Sequence, residues 1–369
     1  MTRRELNLAI FEGWAERVLW QPRLETWYWY HRQAGTLPER FRDVDYLDFY
    51  DRLGCSVRYA ASAGIEMYYE PADVEIAQED PDPSTHVDIV RIPEGELRTV
   101  HQISRADPFW ENRRIVQFPV QTVQDLKILT ALMERIRYRV QLEKFQAAAA
   151  RVEHRAEPTV FLNSAGFTDL IKWHAGLVGT YYLLADHRSE VEAYLNACDE
   201  RDMRQIQAAL ELPCRIFNLG DHATNEFTPP PILKRYCIPR WQRISQILSQ
   251  HGRYVHTHWD GHSRLLLPYL RESGLHGVEA LTPEPMGDMT LEMIKGAVGN
   301  DIVVLDLIPA IFFLREWPLE PVLRFVEQVV EMFAPRLVLG VSDEISQAGQ
   351  IQKIEAISEF IDRRWGLAD

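Results

Sequence analysis

From about residue 158 onward the chain alternates short β-rich apolar runs with segments of helical period, and this alternation restricts the fold more than any other feature. The runs are Thr159–Leu162, Cys214–Leu219, Tyr254–His258, Val278–Leu281, Ile302–Leu307 and Leu337–Val341. They are rich in Val, Ile, Leu, Phe and Tyr and do not alternate strictly with polar residues, the pattern of strands covered on both faces of a parallel sheet. Between them Leu233–Gln250, Arg264–Ser273, Leu291–Val298 and Pro321–Phe333 repeat with helical spacing. Strands separated by helices imply βαβ units. Two upstream runs, Thr26–His31 and Ser56–Ala60, the second after a helix-like Tyr46–Leu53, bring the total to eight. The expected fold is an α/β (β/α)8 TIM barrel rather than a doubly wound sheet.

Residues 64–120 follow another rule. Met67-Tyr-Tyr, Val87–Ile92, Leu97–Ile103 and Arg114–Phe118 read as strands split by turn clusters such as Asp80-Pro-Asp-Pro-Ser. They predict an antiparallel β insertion near the N-terminus of a single domain covering 1–369, with a helical pair over 122–151 leading back.

Composition narrows the function. Of 369 residues 46% are apolar and 25% charged, enough for one sizeable core. The 40 Lys and Arg stand against 54 Asp and Glu, a net charge of −14, and the basic residues are interleaved with acids, as in Arg201-Asp202-Met203-Arg204. Such a chain repels phosphate backbones and anionic lipid, so neither nucleic acid nor membrane is an expected partner. Its four cysteines, Cys55, Cys198, Cys214 and Cys237, form no CxxC pair and read as reduced thiols. The most apolar stretch, Ile302–Leu314, is broken by Asp306 and Pro309 and is too short to span a bilayer, and residues 1–6 open an amphipathic helix rather than a signal peptide. A cytoplasmic location is expected.

In a parallel barrel the C-terminal ends of the strands converge on one mouth. Here those ends are followed by Asn163, by Asn218-Leu-Gly-Asp221-His222, by His256-Thr-His258-Trp-Asp260-Gly-His262, by Glu279 and Asp288, by Asp306, and by Ser342-Asp343-Glu344. His256 and His258, two apart on a strand, face the same side and could share one ion. Glu279, on the next strand, could complete the set, since a carboxylate within an apolar strand needs a partner. Imidazole plus carboxylate suits Zn2+ or another first-row metal. The bland alternative places one histidine in the core and hydrogen-bonds the other to a loop. Asp221, Asp260 and Asp343 are candidate acids, bases or orienting groups. Helix capping is the competing role for Asp288 and Asp343. Arg23 and Arg32, flanking the aromatic run Trp27–Tyr30, are candidates for holding a substrate carboxylate or phosphate.

The layout resembles the uroporphyrinogen decarboxylase superfamily, which also contains zinc- and corrinoid-linked methyltransferases and is similar in fold to cobalamin-independent methionine synthase. Three segments carry the likeness. His31-Arg-Gln-Ala-Gly-Thr-Leu-Pro-Glu resembles the decarboxylase signature Arg-Gln-Ala-Gly-Arg-x-Leu-Pro. Asn218-Leu-Gly-Asp221 through Thr228-Pro and Tyr236-Cys-Ile-Pro239 resembles the family's Asp loop and the helix after it. His256-Thr-His258, Glu279 and Gly340-Val-Ser-Asp343 fall where the methyltransferases place His-x-Cys, a carboxylate and a final Cys. Ala60-Ala-Ser-Ala-Gly64 stands where the decarboxylases carry their catalytic aspartate.

The resemblance implies a methyltransferase-like enzyme acting on a small molecule, with Zn held by His256, His258 and Glu279, Asp343 as fourth ligand or base, and Asp221 and Asn218 orienting substrate. It also implies a corrinoid protein as a possible partner and a homodimer. Two alternatives stand beside it: a metal-free decarboxylase or lyase anchored by Arg23 or Arg32, and a non-catalytic barrel that docks a corrinoid carrier.

Overall fold

The computed structural model of the chain describes residues 1–367. They form two compact units, one of residues 1–64, 142–161 and 213–367, the other of residues 65–141 and 162–212.

The first unit is an α/β structure built on a curled, seven-stranded parallel sheet. Its strands are β1 (Leu19–Trp20), β2 (Thr159–Leu162), β3 (Ile216–Leu219), β4 (Tyr254–His258), β5 (Gly277–Glu279), β6 (Val303–Pro309) and β7 (Leu337–Ser342), hydrogen-bonded in the order β1-β7-β6-β5-β4-β3-β2. Every residue of β3, β5, β6 and β7 is buried, which explains why these runs show no polar alternation. The helix Arg3–Glu12 starts with a reciprocal Thr2–Glu5 cap and ends at Gly13, whose φ of 87° needs a residue without a side chain. Its Leu6, Ile10 and Phe11 pack on Leu19, Ile216, Val303 and Val338 at the starts of four strands. This apolar floor leaves the opposite strand ends to the ionisable residues.

Several expectations are corrected here. The first strand is Leu19–Trp20, and the aromatic run Thr26–His31 lies within a helix, Glu25–Gln33. Ser56–Ala60 is extended but forms no regular strand. It is tied to β1 through Ser56 N–H, which donates to Trp20 O at 2.8 Å, and to β2 through Tyr59, whose ring lies 4.5 Å from Phe161. Seven strands therefore carry the ladder rather than eight. Arg264–Ser273 forms two short 3-10 turns, Leu267–Tyr269 and Arg271–Ser273, because Pro268 and Gly274 interrupt it. The helices Ile238–Gln250, Leu291–Val298 and Leu319–Phe333 stand where the sequence places them.

The second unit holds the antiparallel strands. Glu75–Asp82, Thr85–Ile92, Gly95–Asp107 and Trp110–Gln117 form a four-stranded meander. Ile65–Tyr69 pairs with Ile136–Val140, a strand lying where a helical pair over 122–151 was expected. The helices Val123–Arg135, Gly176–Asp186 and Arg188–Glu211 complete the unit, with Arg201 bound to Asp169 and Asp202 inside it. Among the described residues no helix is long and apolar enough to cross a membrane.

Candidate metal and substrate site

Adjacent registers bring the ionisable residues together. His258 of β4 lies opposite Glu279 of β5, and His256 lies between Asn218 of β3 and Gly277 of β5. Glu279, only 3% exposed, is the hub. Its Oε1 accepts from Asn218 Nδ2 at 2.8 Å and meets His258 Nδ1 at 3.0 Å. Its Oε2 accepts from the Tyr59 hydroxyl and lies 3.4 Å from Arg58 Nη1. Burial raises the Glu279 carboxyl, but the His258 hydrogen bond and the charges of His258 and Arg58 outweigh this and hold it well below the usual range.

Arg58 is the cation that makes this arrangement tolerable. Buried to 4% exposure, it grips Asp306 with both terminal nitrogens, at 3.0 Å and 2.8 Å, and donates Nε to Gln21 Oε1 at 2.9 Å. Asp306 also accepts from Ala280 N–H at 3.2 Å. Its carboxyl is pushed up to about 6 by burial, against the pull of Arg58. A side chain at Gly340 would collide with Asp306 Oδ1 and the Gln21 carbonyl, so glycine there permits the close approach of β7. Tyr59, Ala280, Asp306 and Leu307 all hold φ between 58° and 87°, a region costly for residues with a side chain. Such strain concentrates around functional groups, and here four residues share one cluster.

A second group sits beside the hub. His222 Nε2 lies 3.0 Å from Asp260 Oδ1, His258 Nε2 lies 3.6 Å from Asp260 Oδ2, and the two imidazoles stack at 5.5 Å. Donor atoms of His222, His258 and Asp260 all fall within 4.8 Å of one another, a spacing suited to one metal ion. Burial lowers the His258 imidazole, but its hydrogen bonds with Asp260 and Glu279 prevail and push it up to about 10. Asp260, raised by burial, is held far lower by His222 and His258.

The loops that deliver these residues are tied together. Ala223 N–H donates to His258 O and Asn225 N–H to His262 O, while Asp288 accepts from Ser263 N–H at 3.1 Å, Arg264 N–H at 3.2 Å and Asn225 Nδ2 at 3.1 Å. Asp288 is thus a loop tie; the cap of Leu291–Val298 is Thr290.

The group of donors whose spacing would suit a metal ion differs from the expected set. His258 is common to both, but Glu279 spends its oxygens on Asn218, Tyr59, Arg58 and His258, and His256 Nδ1 stays 3.6 Å from it. His256 is 1% exposed, and burial lowers its imidazole to about 4, leaving a neutral core histidine. Asp260 joins the donors, and Asn218 supports Glu279. Asp221 is buried against Trp241 Nε1 at 2.7 Å and Arg240 Nη1 at 3.5 Å, away from solvent. Asp343 binds Arg23 at 2.5 Å instead of capping a helix. Arg32 lies apart on its helix, bonded to the Tyr28 hydroxyl at 2.5 Å. Sequence reasoning left Arg58, Tyr59, Gln21 and Glu25 without a role, and it quoted His222 without assigning it.

No family model matches the chain, and no curated protein does. Its fold is similar to that of a methyltransferase from Methanosarcina mazei, with a TM-score of 0.50, 12% identity, and coverage of 71% of this chain and 75% of that one. A putative vitamin-B12-independent methionine synthase from Listeria monocytogenes follows at a TM-score of 0.40, 14% identity and 61% and 69% coverage. A B12-independent methionine synthase from Shewanella sp. W3-18-1 matches at 0.38, 11% identity and 71% and 74% coverage. The likeness to the first of these is one of fold, in keeping with the fold that the sequence resemblance implies.

Proposed function

We propose that the chain is a metal-dependent methyl-transfer enzyme of the uroporphyrinogen-decarboxylase-like barrel type, acting on a small molecule with zinc held by His222, His258 and Asp260. The observation that carries this reading is that Glu279 grips His258 Nδ1 while His258 Nε2 turns towards Asp260 and His222. A ligating histidine characteristically gives its other ring nitrogen to a carboxylate, which fixes ring and tautomer. Two imidazoles and one carboxylate, leaving a fourth position for a reactant, match the donor set of a reactive zinc site. Zinc held there would keep a coordinated thiol or hydroxyl deprotonated at neutral pH and present it for methylation.

The protein's own residues do the rest. Asn218, Tyr59 and Arg58 immobilise Glu279, Asp306 compensates Arg58, and Gln21 fixes the Arg58 plane. The methyl group would come from a small donor or from a corrinoid-bearing partner. The carboxylate-anchoring alternative finds less support, since Arg23 is already engaged by Asp343 and Arg32 by Tyr28.

Elemental analysis of the purified chain tests the site. About one zinc per chain is expected, lost in His222→Ala, His258→Ala and Asp260→Ala and kept in His256→Asn. Methyl transfer that survives complete removal of metal would end this reading.

A further inference from the structure

A barrel strand is ordinarily followed by a full helix that covers its outer side. The connection from β4 to β5 has only the short turns Leu267–Tyr269 and Arg271–Ser273 in that place. Beside them, along the helix Leu291–Val298, an open groove of about 500 Å³ remains. Leu267, Pro268, Met293 and Ala297 give it apolar walls, and Arg264 and Arg271 line it as well. No acidic residue lines it, although the chain carries a net charge of −14. Neither guanidinium bonds to Glu279, His222, His258 or Asp260, so the groove stands apart from the strand-end cluster.

The two guanidiniums are held differently. Arg271 is pinned: Nε donates to Ala297 O at 2.9 Å and Nη2 to Gly296 O at 3.3 Å, satisfying carbonyls at the end of the helix. Gly299 permits this close passage, because a side chain there would collide with Arg271 Nη2. The Arg264 side chain has no hydrogen bond or ion pair among the described residues; only its main-chain N–H is engaged, by Asp288. One cation is thus fixed in position and the other is spare, on a groove whose remaining walls are apolar.

We infer that this groove binds a small amphipathic anion, its carboxylate or phosphate at the arginines and its compact apolar body against Leu267, Pro268 and Met293. A guanidinium offers paired donors to an oxyanion, and covering the apolar walls removes them from water. The volume lies within the range of small-molecule pockets. Seven lining residues are far fewer than the roughly 20–30 that each side of a stable protein interface contributes, which favours a small ligand over a partner chain. This site is independent of the metal reading above.

Titration of the full chain with 4-phenylbutyrate, 4-phenylbutanol and 4-phenylbutylammonium, followed by NMR of the probes, tests it. The carboxylate should bind about tenfold tighter than the alcohol, with or without zinc, and the ammonium more weakly than either. Arg264→Ala should remove most of that preference. Gly296 lines the groove, and no atom lies within 4 Å of where its Cβ would stand. Gly296→Leu should therefore fill the groove and weaken 4-phenylbutyrate at least about tenfold without lowering Tm, whereas Gly296→Ala should bind it as wild type does. Carboxylate and alcohol bound alike, no uptake of 4-phenylbutyrate, or an unchanged affinity in Gly296→Leu would overturn the inference. A wild-type dimer that Gly296→Leu splits would assign the groove to a second copy and overturn it equally. Should Gly296→Leu not fold, the surface variant Arg264→Ala decides alone: a preference for the carboxylate that survives it refutes the site.

Discussion

Arg58 shows how much of a buried polar cluster depends on one side chain. It neutralises Asp306 and faces Glu279, all nearly inaccessible to water. Removing one partner of such a group leaves uncompensated charge in a low-dielectric interior. Arg58→Ala is expected to cost roughly 3–5 kcal/mol, read from urea unfolding. Arg58→Lys should recover little of it, because an ammonium cannot make the paired contact or the bond to Gln21. Glu25 behaves oppositely. Burial and the neighbouring Glu344 push its carboxyl up to about 7. The folded chain therefore keeps this proton where the unfolded chain has released it, and stability falls as pH rises from about 4.5 to about 7. Glu25→Gln should remove up to about 3 kcal/mol of that decline, visible as a higher Tm than wild type at pH 8 and little difference at pH 5. At this scale His258 and Glu279 were legible because polar residues in apolar strands demand a reason. Arg58 met the same criterion inside Ser56–Ala60, but the run's strand-like composition masked it.

The elements explain which parts of the site escaped the sequence. The run Trp27–Tyr30 has the composition of a strand, yet its side chains interact at helical spacing: the Trp27 and His31 rings pack tilted with centroids 4.4 Å apart, and Arg32 bonds the Tyr28 hydroxyl. Helical period was present, and β-propensity obscured it. Leu19–Trp20 is too short to give any periodic signal. The donors His222 and Asp260 lie on loops, where no repeat sets their direction; the ties through Asn225, Ser263 and Asp288 do so instead. Asp288→Ala should therefore weaken zinc binding about ten- to hundredfold while shifting Tm by only a few degrees, measured by competition with a chromogenic chelator and by calorimetry.

At the scale of the molecule, the strand–helix alternation was enough to place six of the seven sheet strands, since burial on both faces writes itself into composition. It could not reveal that Ser56–Ala60 stays irregular, because pairing is non-local. All four cysteines are buried, and burial pushes Cys55, Cys198 and Cys214 up to about 12. A thiol reagent such as Ellman's should label none in the native protein and four after denaturation. This irregular run between β1 and β2 carries its own consequence. Ser56–Ala60 is fastened to its neighbours by one main-chain bond and a few side chains rather than by a ladder. It is the stitched meridian of an otherwise woven wall, and its amides should exchange with deuterium well before those of Val303–Pro309.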